Sequence, residues 1–140
     1  MLKLRSIYSP HTPIDVLEFL YSLLAERDAT TNISHRRMPT FDRHADFVAS
    51  RPYREWWTIE DDGILVGAAY LSDQNEIGIF LSRPYQGRGI GPRVIDMIIS
   101  RHKHEDLLAN VNPENARSEK MFMSKGFGLL QKTFVRRASN

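Results

Sequence analysis

The chain has 140 residues, 41% of them apolar, no cysteine, and 19 basic against 17 acidic side chains. That length suits one domain, residues 1–140, with a core large enough to stand without staples. The missing cysteines exclude a disulfide framework, a thiol nucleophile and a cysteine zinc site, and the formal net charge of +2 is too small to argue for nucleic acid.

The first residues lack the apolar core and small-residue cleavage site of a signal peptide, and no apolar run approaches membrane-spanning length, so a cytoplasmic protein without a membrane partner is expected. In chain order, Leu2 and Leu4 alternate with Lys3 and Arg5, the pattern of a strand with one polar face. The segment 9–13 breaks it and offers Thr12 as a cap and Pro13 as the first position of a helix. Leu17, Leu20, Tyr21 and Leu24 carry that helix to about Arg27. Residues 28–39 have no period and read as a loop, with His35, Arg36 and Arg37 able to meet an anion or simply to face solvent. Thr40 caps a second helix with Phe41, Ala45, Phe47 and Val48 as its apolar side and His44 among them, ended by Arg51-Pro52.

Trp56, Trp57 and Ile59 mark a strand that closes at Asp61-Asp62-Gly63, a hairpin signal, and residues 64–71 return as its partner. After a turn at 72–75, the run Glu76-Ile-Gly-Ile-Phe-Leu81 reads as a buried strand. A helix over 93–101 follows, with Val94, Ile95, Ile98 and Ile99 in its stripe. Residues 107–111 predict a short buried strand parallel to 76–81, since a helix separates the two. Residues 112–115 open a last helix stopped at Gly126, and 127–135 predict a final strand. His102 and His104 read as cations at a helix C-terminus, and no metal site is expected.

Between strand and helix lies Gln86-Gly-Arg-Gly-Ile-Gly-Pro92. Three glycines leave backbone amides uncovered at the positive end of a helix, a natural seat for a phosphate or pyrophosphate. A Walker loop would need Gly-Lys-Ser/Thr where Gly91-Pro92-Arg93 stands, and a dinucleotide turn would need glycine at Pro92. The spacing Gln-x-x-Gly-x-Gly, met by Gln86, Gly89 and Gly91, is similar to the acetyl-CoA signature of the GNAT superfamily of N-acetyltransferases. Asn115-Ala-Arg-Ser118-Glu-Lys-Met-Phe122-Met-Ser-Lys-Gly126-Phe127 resembles the last helix and following turn of that superfamily. The likeness covers residues 53–135 well and the first third in outline.

The resemblance implies an α+β fold, with a mostly antiparallel central sheet, a parallel pair at the CoA site, and flanking helices. It implies acetyl-CoA as cosubstrate, with Gly87, Arg88, Gly89, Ile90 and Gly91 around the pyrophosphate and Gln86 orienting the turn. Ile79, Phe80 and Leu81 would lie along the pantetheine arm, with Asn115 and Phe122 beside it. Glu76 is the expected base for the amine, with Asp73 as fallback, and Gly78 marks a bulge or a close backbone approach. Two departures stand out: Pro92 has no N–H, and Phe122 replaces the tyrosine that would protonate the departing thiolate, leaving water, Tyr85 or Tyr70 to do so. His44, Trp57 and Arg36 are the acceptor-side candidates; with Trp56 and Arg51 they loosely resemble enzymes that acetylate nucleotide-linked amino sugars. A small-molecule amine is thus the expected acceptor, of a monomer or homodimer. An N-terminal peptide amine, or a CoA-binding module with little catalysis, are the alternatives.

Overall fold

The computed structural model describes residues 1–8, 10–27 and 38–139. The alternating and apolar runs become strands β1 (Leu2–Ser6), β2 (Glu55–Asp61), β3 (Ile64–Leu71), β4 (Glu76–Leu81) and β5 (Leu108–Ala109). The helical stripes become α1 (Ile14–Glu26), α2 (Phe41–Ala49), α3 (Ile90–Arg101) and α4 (Ala116–Ser124). The strands form one mixed sheet in the order β1-β2-β3-β4-β5, antiparallel except for the parallel β4–β5 pair. Asp62 (φ 50°) and Gly63 (φ 82°) supply the two left-handed residues that a tight turn between twisted strands needs, and they close the β2–β3 hairpin.

Because successive strand residues point to opposite faces, the sheet serves two cores. Trp57, Ile59, Ala69, Leu71 and Ile77 pack on one face with Val94, Ile95 and Ile98 of α3 and Phe122 of α4. Trp56 and Ala68 pack on the other with Ile7, with Leu20 and Leu23 of α1, and with Val48 of α2. Caps fix the helix starts: Thr40 accepts from the Arg43 amide and Asn115 from the Ser118 amide. No helix among the described residues is long and apolar enough to cross a membrane.

Several boundaries differ from expectation. Thr12 does not cap α1; its hydroxyl donates to the Ile7 carbonyl (2.9 Å), which leaves Pro13 as the cap. Helix α3 starts at Ile90 rather than 93, since Gly91 and Pro92 both fit a first turn. The inward side of α2 is His44 with Val48, while Phe47 turns outward to meet Tyr53 and Trp56 edge-on. Strand β5 is two residues long and only half-buried. The final strand expected over 127–135 does not form: residues 128–139 leave α4 as an exposed chain without strand structure. A ladder needs an edge to pair with, and two half-buried residues provide little. The loop at 28–39 lies almost wholly outside the described residues, and with it His35, Arg36 and Arg37.

His44 is 6% exposed, its ring centre is 5.5 Å from that of Tyr21, and its Nε2 has no hydrogen-bond partner among the described residues. Burial pushes its imidazole below the usual histidine value. The unfolded chain takes up that proton near pH 6.5 and the folded one resists it, so this contribution to stability is present at higher pH and lost as pH falls below about 6.5. The melting temperature is therefore expected to drop less between pH 7.5 and 5.5 in His44→Leu than in the unmodified protein. Equal drops, measured calorimetrically, would show that His44 does not carry this dependence.

Candidate functional site

Strand β4 pairs with β5 only at Glu76 with Leu108 and Ile77 with Ala109. From Gly78 to Leu81 the strand runs on without a β5 partner, leaving peptide groups open along one edge among the described residues. A 3-10 turn (Arg83–Tyr85) follows, and Gln86 folds back so that its Nε2 donates to the Leu81 carbonyl (3.0 Å). This bond fixes where the glycine turn leaves the strand. Gly87 (φ 75°) and Gly89 (φ 79°) then adopt left-handed backbone, and Gly89 is the N-cap of α3. Residues 86–89 are exposed, so the amides at the positive end of a 12-residue helix face outward. Pro92 sits in that first turn, where a missing N–H leaves no intrahelical bond unmade, so the substitution removes one outward donor without weakening α3.

Two guanidinium groups stand over this turn. Arg88 lies 5.5 Å from the Tyr85 ring centre, and Arg117, in the first turn of α4, lies so close that a Cβ at Gly87 would come within 2.7 Å of its Nη2. Glycine at 87 therefore keeps open a gap between the turn and a cation. Arg117 was not a sequence candidate. It stands at an unspecified position of the last-helix motif, and only the packing of α4 beside the turn reveals it.

The opposite face of β4 carries Glu76, Gly78 and Phe80, alternating with Ile77, Ile79 and Leu81, which pack with the α3 side. The Glu76 carboxylate spans the fork between β4 and β5: Oε2 accepts from Asn110 Nδ2 and Oε1 from the Ser72 hydroxyl (3.4 Å). Cross-strand from Gly78, Tyr70 lays its ring over the strand, where a Cβ at Gly78 would come within 2.1 Å of it. The sequence signal in Gly78 is thus a close approach. Tyr53 stacks on Tyr70 with centroids 3.8 Å apart and planes 4° from parallel, and meets Trp56 edge-on at 4.8 Å. The Tyr8 hydroxyl donates to the Tyr53 carbonyl (3.1 Å) and accepts from its amide (3.2 Å). The Arg27 guanidinium lies 4.3 Å from the centre of the Phe80 ring.

Burial raises the Tyr70 phenol above its usual value, with Arg27 opposing that rise and the Glu76 charge adding to it. Burial raises Tyr53 likewise and lowers Arg27. Both phenols are therefore neutral hydrogen-bond donors at physiological pH.

Of the acceptor-side candidates, none reaches this face among the described residues. Trp57 is buried in the α3-side core with Arg101 stacked at 5.7 Å, because its neighbour Trp56 takes the Glu76 side. His44 is enclosed between α2 and α1, and Arg36 lies outside the described residues. Asn115 is occupied as the α4 cap, and Phe122 is buried edge-on to Phe127 at 5.2 Å. Asp73 is exposed in the β3–β4 turn. Tyr53 and Arg27 line this face and were not sequence candidates, and Tyr70 was one only as a proton donor.

The sequence matches the Acetyltransferase (GNAT) family over residues 17–128. The chain belongs to the GNAT acetyltransferase family. Among curated proteins none matches it. Solved structures share the fold. Mutant forms of the spermidine/spermine N-acetyltransferase SpeG from Vibrio cholerae superpose with TM-score 0.71 and 18% identity, over 96% of this chain and 86% of theirs. The ribosomal L7/L12 alpha-N-protein acetyltransferase RimL in complex with coenzyme A gives 0.72 and 16%, over 93% and 81%. AAC(6')-Iy with the bisubstrate analogue CoA-S-monomethyl-acetylneamine gives 0.67 and 16%, over 100% and 99%. A polyamine enzyme and a protein N-terminal enzyme thus share this GNAT fold, which by itself leaves the acceptor open.

The Tyr70 to Gly78 contact predicts a non-additive pair. Gly78→Ala forces a methyl into the tyrosine ring and is expected to cost about 1–3 kcal/mol by urea unfolding. In the Tyr70→Ala background the same change should cost at least about 1 kcal/mol less; an additive cycle would mean that the ring does not rest on the strand.

Proposed function

We propose that this GNAT protein is an acetyl-CoA-dependent N-acetyltransferase that moves acetyl to the primary amine of a small molecule by direct attack on the thioester. The observation that carries the proposal is the fork between β4 and β5. One edge of β4 is open from Gly78 to Leu81, with a hydrogen-bonded carboxylate at its root and the glycine turn at its far end. The residues fit the cosubstrate. The amides of Gly87 to Gly91, with Arg88 and Arg117, suit its pyrophosphate. The open edge at Ile79, Phe80 and Leu81 suits the amide-bearing arm, which can pair like an added strand. Acetyl-CoA supplies an acetyl group already activated as a thioester.

The protein's own contribution is to position and to manage charge. An ammonium has no lone pair, so the acceptor must lose a proton, and Glu76 takes it directly or through water. The Leu81 backbone amide, on the open edge of β4, donates to the oxygen that gains charge as the amine attacks, whereas the Phe80 amide faces β3. Phe122 has no proton for the leaving thiolate, and Tyr70, neutral and lying over Gly78, offers a hydroxyl on the acceptor face. The tyrosine stack gives a flat apolar wall for an amine-bearing molecule, and Glu76 gives it a negative pole. SpeG and AAC(6')-Iy, as proteins of this fold described with spermidine/spermine and with an acetylneamine analogue, support a small-molecule acceptor.

Release of free thiol from acetyl-CoA in the presence of a panel of polyamines, amino sugars and peptide amines tests the reading. Glu76→Gln is expected to lower kcat/KM by about 10²–10⁴-fold with acetyl-CoA binding retained. If the protein binds the cosubstrate and no amine releases thiol, a CoA-binding module is the better description. Arg117→Ala is expected to raise the KM for acetyl-CoA by about two- to fivefold with kcat unchanged, the modest effect of an exposed charge pair.

A further inference from the structure

We propose that Arg54 is a positioning residue for the Glu76 carboxylate, acting on it through Asn75, an inference that rests on Glu76 being the base of the transfer. The need for such a residue follows from the fork itself. The two groups that hold the carboxylate stand on opposite sides of it: Ser72, in the turn that enters β4, and Asn110, just past β5. Both bonds last only while the two strands keep their spacing at the root, and the ladder there is two residue pairs long.

Asn75 is the joint between those sides. Its φ of 63° is left-handed, a conformation that asparagine accepts more readily than most side chains. Its carbonyl accepts from the Leu108 amide (2.9 Å) and its Nδ2 donates to the Asp106 carbonyl (3.3 Å), so main chain and side chain both reach across to β5 and its approach. Its own amide donates to the Ser72 carbonyl (3.0 Å), and the next amide, that of Glu76, donates to the Ser72 hydroxyl (2.9 Å). A swing of Asn75 therefore moves Ser72 and Glu76 together, away from Asn110.

Arg54, immediately before β2, ties the same two sides from behind. Its Nη1 donates to Asn75 Oδ1 (2.8 Å) and to the Glu105 carboxylate (3.1 and 3.3 Å to the two oxygens), one partner leading into β4 and the other into β5. A guanidinium suits that place, since its charge is permanent and its donors serve two acceptors at once. Glu105 is anchored in turn by His102 at the end of α3. That largely buried ring meets Glu105 through Nδ1 (2.7 Å) and Glu55 of β2 through Nε2 (2.6 Å). Hydrogen bonds from His102 and Arg54 hold the Glu105 carboxyl below its usual value, so it remains an anion for the guanidinium to grip. The cross-tie thus runs from α3 and β2 through Arg54 to the residue before the base.

Free-thiol release from acetyl-CoA is measured with the amine of the panel that turns over fastest, in Arg54→Ala, Asn75→Gly and the double variant. Each single change is expected to lower kcat about ten- to a hundredfold, the effect of a misplaced base, with the KM for acetyl-CoA within about twofold of the unmodified protein, and the double variant to fall no further than the lower single. Asn75→Gly supplies the residue that a left-handed backbone favours, so a loss of rate there is not a loss of fold. Unchanged kcat in Arg54→Ala, or losses that multiply in the double variant, would overturn the inference. If the unmodified protein releases no thiol with any amine, it is the acetyltransferase reading that fails, and the ¹⁵N-edited signals of the Asn110 side-chain amide decide the positioning. They report its bond to Glu76 and are expected to shift in Arg54→Ala; signals that stay in place overturn the role of Arg54.

Discussion

The architecture depends on a parallel strand pair that lasts two residues and then parts. Parallel neighbours cannot be joined by a tight turn, so the chain between β4 and β5 must cross the sheet, and α3 makes that crossing. The crossing puts a helix N-terminus at the end of β4. The parting leaves the last four residues of that strand without a ladder along one edge among the described residues, an edge open to another extended chain. The glycine turn and the open edge are two results of one topological requirement, and Gln86, bonded back to Leu81, keeps them in register.

The sheet separates its tasks by face. On the α3 side Val94, Ile95, Ile98, Ile77 and Leu71 are enclosed and give the turn a rigid base. On the other side the aromatic group of Tyr8, Tyr53, Trp56 and Tyr70 lies beside Glu76 and Phe80, where charge and polarity vary over a few ångströms. Alternation along β4 is what lets one strand serve both, with Ile77, Ile79 and Leu81 on one side and Glu76, Gly78 and Phe80 on the other.

Local patterns were readable where they are self-contained. The β2–β3 hairpin follows from Asp62-Gly63, the α2 and α4 starts from Thr40 and Asn115, and the exposed turn before α3 from three glycines ahead of a helical stripe. What escaped depends on long-range choices. Trp56 and Trp57 are equally apolar neighbours, and period two states that they diverge without stating which side the site occupies. Arg117 and Arg27 are ordinary surface cations until α4 and the end of α1 are docked. The strand expected at 127–135 has the right composition, but a strand exists only with a partner, and that partner is not encoded locally. Thr12 misses the cap because the helix begins one residue later than its position requires, at Ile14, and its hydroxyl donates to the Ile7 carbonyl.

The ring of Tyr70 resting on a bare stretch of backbone has a consequence for how this scaffold can diversify. The depth of this face of β4 is set there by a side chain and not by the course of the main chain. A shorter residue at 70 would deepen the face by roughly an aromatic ring, without disturbing the glycine turn or the fork that would hold the coenzyme. On the proposed function, such a change would reshape the acceptor side while leaving the glycine turn in place, and would also remove the hydroxyl offered to the leaving thiolate.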